Sequence, residues 1–211
     1  PRPEAELLVK RISNISIEEL MLRQQMAQNM LFRLGVTFNV YSDNQGTERI
    51  FPFDMVPRVV PSEEWQWLER GLKQRIEALN CFLDDIYNDQ KIIRDGIIAR
   101  EVIESAPGFL SPCLGLKPPK GVWCHITGTD LVRDRNGRWY VLEDNLRCPS
   151  GVSYVLENRR VMKGAFPALF EALNINPVDA YPSQLLASLL YLAPASVPDP
   201  RVVLLSPGIY N

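Results

Sequence analysis

Two long stretches of the chain place apolar residues at steps of three and four, the pattern of a helix with one buried face. The first covers 16–34 and opens with an S-x-x-E capping box formed by Ser16 and Glu19. The second covers 62–87, and its first turn is acidic, which suits the positive end of a helix dipole. The pattern therefore predicts two amphipathic helices, and we expect the second to be the main packing element.

Shorter segments follow either the helical pattern or the pattern of a strand. The predicted short helices cover 99–105, 152–162, 167–173 and 182–192. The predicted strands cover 36–41 and 48–53, which form a hairpin through a turn at 43–46, then 122–126 and the apolar run 201–205. We expect residues 1–12 to form a loose arm.

A second predicted hairpin gathers acidic residues. The step Asn136–Gly137 lies between two apolar runs, which is a strong signal for a type I′ turn. The two strands then run antiparallel, so Asp130 comes close to Glu143. Side chains two apart on a strand share a face, so Asn145 lies on the face of Glu143. The hairpin therefore aims two carboxylates and one amide oxygen at one spot.

These three oxygen-bearing side chains suit a hard divalent cation such as Mg²⁺, which binds through one or two carboxylates, waters and substrate phosphates. The chain has one His and no paired cysteines, so a site for a softer metal is not predicted. The alternative is that the acids only solvate an exposed hairpin. His125, the single histidine, is predicted on a strand beside the hairpin, either as a structural residue or as a base.

The composition narrows the partners of the chain. Its net charge is −2 and it has no tract of Lys or Arg, so we expect it to bind neither nucleic acid nor an anionic membrane. No apolar run reaches the roughly 18 residues of a membrane-spanning helix. Cys81, Cys113, Cys124 and Cys148 form no CxxC pair, which predicts free and mostly buried thiols. We therefore expect a cytoplasmic protein.

The stretch 128–151 resembles the magnesium-binding core of ATP-grasp carboxylate–amine ligases, which carry an acid on one strand and Glu-x-Asn at the end of the next. Asp130 and Glu143 lie 13 positions apart, the spacing expected of that family. The wording VLEDNLRCPSG, followed by VSYVLENRR, resembles one branch, the circularly permuted ATP-grasp proteins related to glutathionylspermidine synthetase. ERIFPFDMVPR and GLKQRIEALNCFLDDIY extend the resemblance, which covers about 35–211.

The resemblance implies an α+β fold, in which an antiparallel hairpin sheet and packed helices form part of a circularly permuted ATP-grasp fold. It implies ATP-dependent formation of an amide bond through an acyl-phosphate, with ATP as co-substrate and a peptide-like or amino-acid substrate. In that chemistry Mg²⁺ would be held by Asp130, Glu143 and Asn145.

The resemblance also implies roles for the loop that follows the hairpin. Arg147 and Ser150 are the candidate catalytic residues, and with Gly151 they would hold a phosphate or the acyl group. A helix N-terminus with free N–H groups is a ready anion site, and an arginine beside it can bind phosphate or carboxylate. Ser150 can equally be a plain helix N-cap, and the two interpretations are compatible.

We predict three parts, an N-terminal arm and helix over 1–34, an ATP-grasp-like portion carrying the metal-binding hairpin over 35–193, and a linker with the first strand of a following domain over 194–211. The nucleotide-holding lysines of the family are not identifiable in these residues. We therefore expect the N-terminal part of a ligase, inactive alone and binding MgATP weakly or not at all. The alternative is a non-catalytic metal- or partner-binding module that pairs through the uncovered strand 201–205, including with a second copy.

Overall fold

The computed structural model of the chain describes residues 2–40 and 47–205, and its elements belong to the predicted α+β class. The helices are α1 (Glu6–Ser13), α2 (Ile17–Arg33), α3 (Ser62–Tyr87), α4 (Lys91–Arg94), α5 (Arg100–Glu104), α6 (Val152–Ala165), α7 (Pro167–Leu173) and α8 (Tyr181–Tyr191). The strands are β1 (Thr37–Val40), β2 (Thr47–Ile50), β3 (Gly128–Arg133) and β4 (Trp139–Asn145). Short 3-10 helices cover Pro3–Ala5, Ser111–Cys113 and Pro119–Gly121.

Both predicted hairpins are confirmed as antiparallel pairs, β1 with β2 and β3 with β4. Within the described ranges each pair is a separate two-stranded sheet. The predicted turn at 43–46 lies outside the described residues. The two long helices and the four predicted short ones are also confirmed, whereas α1 and α4 are additional.

By contacts the described chain divides into two compact units. The first comprises the residues up to Trp65 together with Ser150–Ala180, and the second comprises Gln66–Pro149 together with the residues from Tyr181 onward. The three-part division predicted from the sequence stays a prediction.

The first unit is built around α2, whose N-terminus is capped as predicted, because Ser16 Oγ accepts a hydrogen bond from the Glu19 N–H at 3.1 Å. Leu31 on α2 is fully buried and packs in one core with Val161 on α6. Leu8 on α1 is buried in the same core. The expectation of a loose arm over 1–12 is therefore wrong, because the amphipathic helix α1 packs against the core through Leu8.

The second unit has its core at the C-terminal end of α3. Tyr87 stacks between Phe109 and Trp123, with ring centroids 5.2 Å and 4.9 Å away. Its hydroxyl accepts a hydrogen bond from the Leu110 N–H at 3.0 Å. These contacts hold the Pro- and Gly-rich segment after α5 against the helix.

Residues 122–126 bend and do not form the predicted strand. The backbone N–H groups of Trp123 and Cys124 both donate to Asn80 Oδ1 on α3, at 2.8 Å and 2.9 Å. A side chain of α3 therefore takes the two donors that a strand ladder would use. Neither the helical pattern nor the alternation of 122–126 carries this information.

The apolar run 201–205 is likewise not a buried strand. It has no strand pairing within the described part of the chain, and Leu204 and Leu205 are 90% and 91% exposed. All four cysteines are free, as predicted, but none is buried: Cys81 and Cys148 are exposed, and Cys113 and Cys124 are half-buried. Over the residues that the structure describes, no helix combines the length and the apolar character needed to cross a membrane.

Candidate functional site

The turn of the β3–β4 hairpin is held by a side chain. Asp134 Oδ1 accepts hydrogen bonds from the N–H groups of Asn136 and Arg138, at 2.9 Å and 2.8 Å. Gly137 has a φ of 89°, but Asn136 is not among the residues with positive φ in the described chain. A type I′ turn needs positive φ at both central residues, so the type I′ prediction is wrong although the hairpin itself forms.

A β-bulge at Leu142 sets the register of the hairpin. Asp130 lies opposite Glu143, whereas the next residue of β3, Leu131, lies opposite Val141. Leu142 is therefore one extra residue in β4, and 68% of it is exposed. A bulge of this kind changes which face the following side chains occupy.

The bulge separates the side chains of the hairpin into two faces. The open face, as we call it, carries the exposed residues Asp130, Glu143 and Asn145. The helix face carries the half-buried residues Thr129, Leu131, Val141 and Asp144, and it lies toward α3. All three predicted metal ligands therefore share one face of two paired strands.

On the open face the carboxylates contact each other. The hydrogen bond with Glu143 raises the pKa of Asp130, and desolvation and the negative charge of Glu143 raise it further. Asn145 Nδ2 donates to Glu143 Oε1 at 3.1 Å. Across the described residues no three His, Cys, Asp or Glu side chains come together as a metal site, so the candidate set is two carboxylates and one amide.

Asp144 lies between two predicted ligands in sequence, but it belongs to the helix face. Arg75 Nε and Nη2 on α3 both lie 2.7 Å from Asp144 Oδ2, and Thr129 Oγ1 donates to Asp144 Oδ1 at 2.9 Å. The hydrogen bond from Arg75 lowers the pKa of Asp144, while desolvation opposes this shift. The sequence interpretation missed this group, and the only signal in the sequence was an acid placed between two proposed ligands.

The end of the open face is covered by Pro149. A Cβ atom at Gly128 would lie 2.9 Å from Pro149 Cβ and 3.7 Å from Asn145 Cβ. Only a residue without a side chain leaves room for this approach. Gly128 therefore lets the segment after β4 lie against the strand pair beside Asn145, another feature that the sequence did not reveal.

The predicted anion-binding residues fall in both units. Arg147 is exposed in the segment after β4, and it belongs to the second unit. Ser150 and Gly151 belong to the first unit, where Gly151 is the N-cap of α6 with a φ of 100°. No side chain caps this helix, so the interpretation of Ser150 as its N-cap is wrong. A phosphate-binding role for these residues stays a prediction.

His125 is exposed and lies in a bend, so its predicted place on a strand is wrong. With Cys124 and two residues of α8, Ser188 and Tyr191, it lines a cavity of about 360 Å³. Desolvation raises the pKa of the Cys124 thiol.

A known protein family matches most of the chain. The sequence profile of the circularly permuted ATP-grasp type 2 family matches residues 57–211. The chain belongs to this family. The β3–β4 hairpin, α3 and α6–α8 all lie within the matched part, whereas α1, α2 and the β1–β2 hairpin precede it.

Individual relatives match over more of the chain than the family profile does. An uncharacterised protein of Synechocystis sp. is 61% identical over 211 residues, all of this chain and 44% of that protein. An uncharacterised protein of Mycobacterium tuberculosis is 49% identical over 193 residues, 92% of this chain and 34% of that protein. A Frankia alni protein, provisionally named a glutamate–cysteine ligase, is 36% identical over 210 residues, 98% of this chain and 24% of that protein. The chain thus spans less than half the length of each of these relatives.

Proposed function

We propose that the open face of the β3–β4 hairpin binds Mg²⁺ through Asp130, Glu143 and Asn145, as part of an ATP-dependent carboxylate–amine ligase. The observation that carries this proposal is the direct pairing of two exposed carboxylates, Asp130 and Glu143, on adjacent strands. Like charges placed opposite each other destabilise a strand pair. A site that retains such a pair is built for a positively charged ligand.

The donor set fits magnesium. Mg²⁺ takes oxygen ligands and usually binds through one or two carboxylates while keeping several waters, and the open face offers two carboxylates exposed to solvent. The raised pKa of Asp130 has its main cause in Glu143, so a cation bound between the two carboxylates would relieve their repulsion. The Asn145 amide has an oxygen as well as the nitrogen that now donates to Glu143, and it can supply a third ligand.

In the proposed reaction, bound Mg²⁺ would neutralise charge on the transferring phosphate oxygens. Asp130 and Glu143 would supply the two negative charges that hold it, and Asn145 would orient the set. Arg147 would bind a phosphate or carboxylate with its planar guanidinium. The Ser150 hydroxyl and the N–H of Gly151, which lie at the start of α6, would bind a second anionic group.

The finer proposal concerns the substrates. We infer amide-bond formation through an acyl-phosphate, between a peptide-like or amino-acid carboxylate and an amine. Two observations support this, the wording of 141–160, which resembles the relatives of glutathionylspermidine synthetase, and the provisional name of the Frankia alni relative. We propose the activity, the substrates and the use of ATP for a protein of the length of these relatives, of which the chain spans less than half.

The first test is calorimetric titration of the 211-residue chain with Mg²⁺ at neutral pH and again at pH 5. Binding is expected at neutral pH and should weaken at the lower pH, because protons compete for Asp130, whose pKa is raised. The weakening should begin at a higher pH than an ordinary aspartate would give. Absence of Mg²⁺ binding at neutral pH would remove the metal site.

The second test compares the chain with the longer Synechocystis relative. We expect the 211-residue chain to bind MgATP weakly or not at all, and the longer relative to bind it in the roughly micromolar-to-millimolar range usual for substrates. Sustained turnover of ATP to ADP and phosphate by the relative should require both a carboxylate, which takes the phosphoryl group, and an amine, which displaces the phosphate. A longer relative that binds no ATP would contradict the ligase proposal.

A second candidate function is a non-catalytic module that binds a partner chain. The observation that favours it is the exposed apolar run Val203–Leu205, whose residues are 77%, 90% and 91% exposed. Burying such a side chain contributes about 1.5–3 kcal/mol, so the run is suited to an interface, including one between two copies. If two copies pair through this run, light scattering should show that the wild type self-associates and that L204D does not. Equal masses for the two proteins would contradict pairing of copies through this run.

A further inference from the structure

Asp144 interrupts the run of proposed metal ligands at the end of β4. It lies between Glu143 and Asn145 in sequence, yet its side chain is on the opposite face and is only 9% exposed. We propose that Arg75 is a positioning residue for the open face. By holding Asp144 on the helix face, Arg75 fixes the bulged register that brings Glu143 and Asn145 to the side of Asp130. The metal-related part of this inference rests on the proposed function.

The hairpin has an alternative register that Arg75 must exclude. From the turn to Leu131 and Val141 the strands pair regularly, and without the bulge the next pair would be Asp130 with Leu142. A shift of one residue moves every following side chain to the other face. In the unbulged register Glu143 would therefore lie opposite Thr129 on the helix face, and the three proposed ligands would be separated.

Three contacts favour the bulged register, and all of them end on Asp144. Arg75 provides two nitrogens at 2.7 Å from Oδ2, and Thr129 provides a hydroxyl at 2.9 Å from Oδ1. A carboxylate that accepts hydrogen bonds from a guanidinium forms a strong and directional pair. Both oxygens of Asp144 therefore accept hydrogen bonds, and these bonds would be lost if Asp144 moved to the open face.

Apolar packing against α3 does not by itself select the register of the hairpin. A groove of about 590 Å³ lies between the two elements, lined on the hairpin side by Leu131, Trp139 and Val141 and on the helix side by residues that include Trp67, Leu72 and Arg75. A two-stranded hairpin is marginally stable by itself, and a bulge interrupts its ladder. Arg75 lines this groove and pairs with Asp144, so it adds a directional constraint to the apolar contacts.

The loss of Arg75 changes the Mg²⁺ affinity in opposite directions under two explanations, so the proposal can be tested. Removing Arg75 takes a positive charge away and leaves Asp144 unpaired, so electrostatics alone predicts tighter binding of a cation. Positioning predicts weaker binding, because the ligands are no longer held together. The two effects act in opposite directions on the same affinity.

The experiment uses the full chain and MgCl₂ as the probe. Titration calorimetry measures the Mg²⁺ dissociation constant, and NMR detects cross-strand contacts between residues 130 and 143, which require no metal. The variants are R75M, R75K, which keeps the charge, and the charge-exchanged pair R75D/D144R. The matched control is K73M, which removes a positive charge from the same helix, where Lys73 forms an ion pair with Glu69 one turn away at 2.8 Å.

The expected result for R75M is a loss of Mg²⁺ affinity of about 10–100-fold, the range seen when a residue that orients metal ligands is removed. The contact between residues 130 and 143 should give way to one between Asp130 and Leu142. K73M should bind as tightly as the wild type or slightly more tightly. R75K should lie between R75M and the wild type, and the charge-exchanged pair should recover part of the loss.

Equal or tighter Mg²⁺ binding by R75M, with the contact between residues 130 and 143 retained, would overturn the proposal and leave the metal site intact. A wild type that binds no Mg²⁺ would instead remove the proposed function, while the NMR contacts would still decide whether Arg75 fixes the register. If R75M does not fold, D144A removes the acceptor of the Arg75 and Thr129 hydrogen bonds and is read by the same contacts. Retention of the bulged register in D144A would then overturn the proposal.

Discussion

The two faces of the β3–β4 hairpin treat their acids in opposite ways. On the helix face Asp144 is paired with Arg75, and this partner lowers its pKa. On the open face Asp130 is paired with another acid, Glu143, and this partner raises its pKa. The negative charge of Asp144 is balanced by a cationic side chain of the protein, whereas the charges of Asp130 and Glu143 repel each other and favour binding of a cation. Residues 14 positions apart in sequence thus differ in purpose because of one bulge.

The largest effect that would test this contrast is loss of metal binding on the open face. E143Q preserves the shape of the side chain but removes one of the two negative charges, so Mg²⁺ affinity should fall by about 100-fold or more, beyond the range for supporting residues. Calorimetric titration measures it. D199N, which removes an exposed carboxylate elsewhere in the second unit, is the control and should bind like the wild type. Equal losses in both variants would contradict the assignment.

The compensated acid should matter for stability. D144N loses its charged pairing with Arg75, and we expect the melting temperature to fall by about 2–5 °C at neutral pH. The pKa of Asp144 is lowered in the folded chain, so its contribution is present above the unfolded pKa of about 3.9 and is lost as the pH falls through the folded value. The difference between D144N and the wild type should therefore shrink in acid, as thermal melts at a series of pH values would reveal.

The uncompensated acid should show the reverse. The pKa of Asp130 is raised on folding, so this group favours the folded state below the unfolded pKa and opposes it once the pH exceeds the folded value. D130N should therefore raise the melting temperature at neutral pH by about 1–3 °C in the absence of metal, and the gain should vanish at pH 3. A variant that is less stable than the wild type at neutral pH would contradict the repulsion on the open face.

The smallest expected effect concerns the close approach of Pro149 to the strand pair. In G128A the added methyl group would meet Pro149 at 2.9 Å, and the exposed segment after β4 must shift to accommodate it. We expect about a two- to threefold loss of Mg²⁺ affinity, through displacement of Asn145, and a slightly lower melting temperature. G164A is the control, because a Cβ at Gly164 on α6 has no neighbour within 4 Å and alanine favours a helix.

Local signals in the sequence were sufficient for the helices and for the position of the acids. The capping box at Ser16 and the period of α3 depend on neighbours in sequence, and both are confirmed. The spacing of Glu143 and Asn145 correctly puts them on one face. The side on which Asp130 meets them depends on the bulge at Leu142, which no turn or alternation signal in the sequence reveals.

Several features that the sequence did not predict involve long-range contacts. Arg75 and Asp144 are 69 positions apart, and Asn80 captures the backbone of Trp123 from 43 positions away. Such pairs form only when the helix and the later segment are brought together, so a window of neighbouring residues contains no trace of them. The same holds for Leu8, which looks like part of an arm until α2 and α6 provide a core for it.

The exposed ring of Tyr140 gives the hairpin an optical consequence. Tyr140 pairs with Val132 on the open face, and 48% of it is exposed, close along the strands to the pair of Asp130 and Glu143. Terbium ions prefer the same oxygen ligands as other hard cations and emit green light when a nearby phenol absorbs in the ultraviolet. Occupancy of the acidic pair can therefore be read by sensitised luminescence from the unlabelled chain, and displacement by magnesium would appear as a loss of that emission.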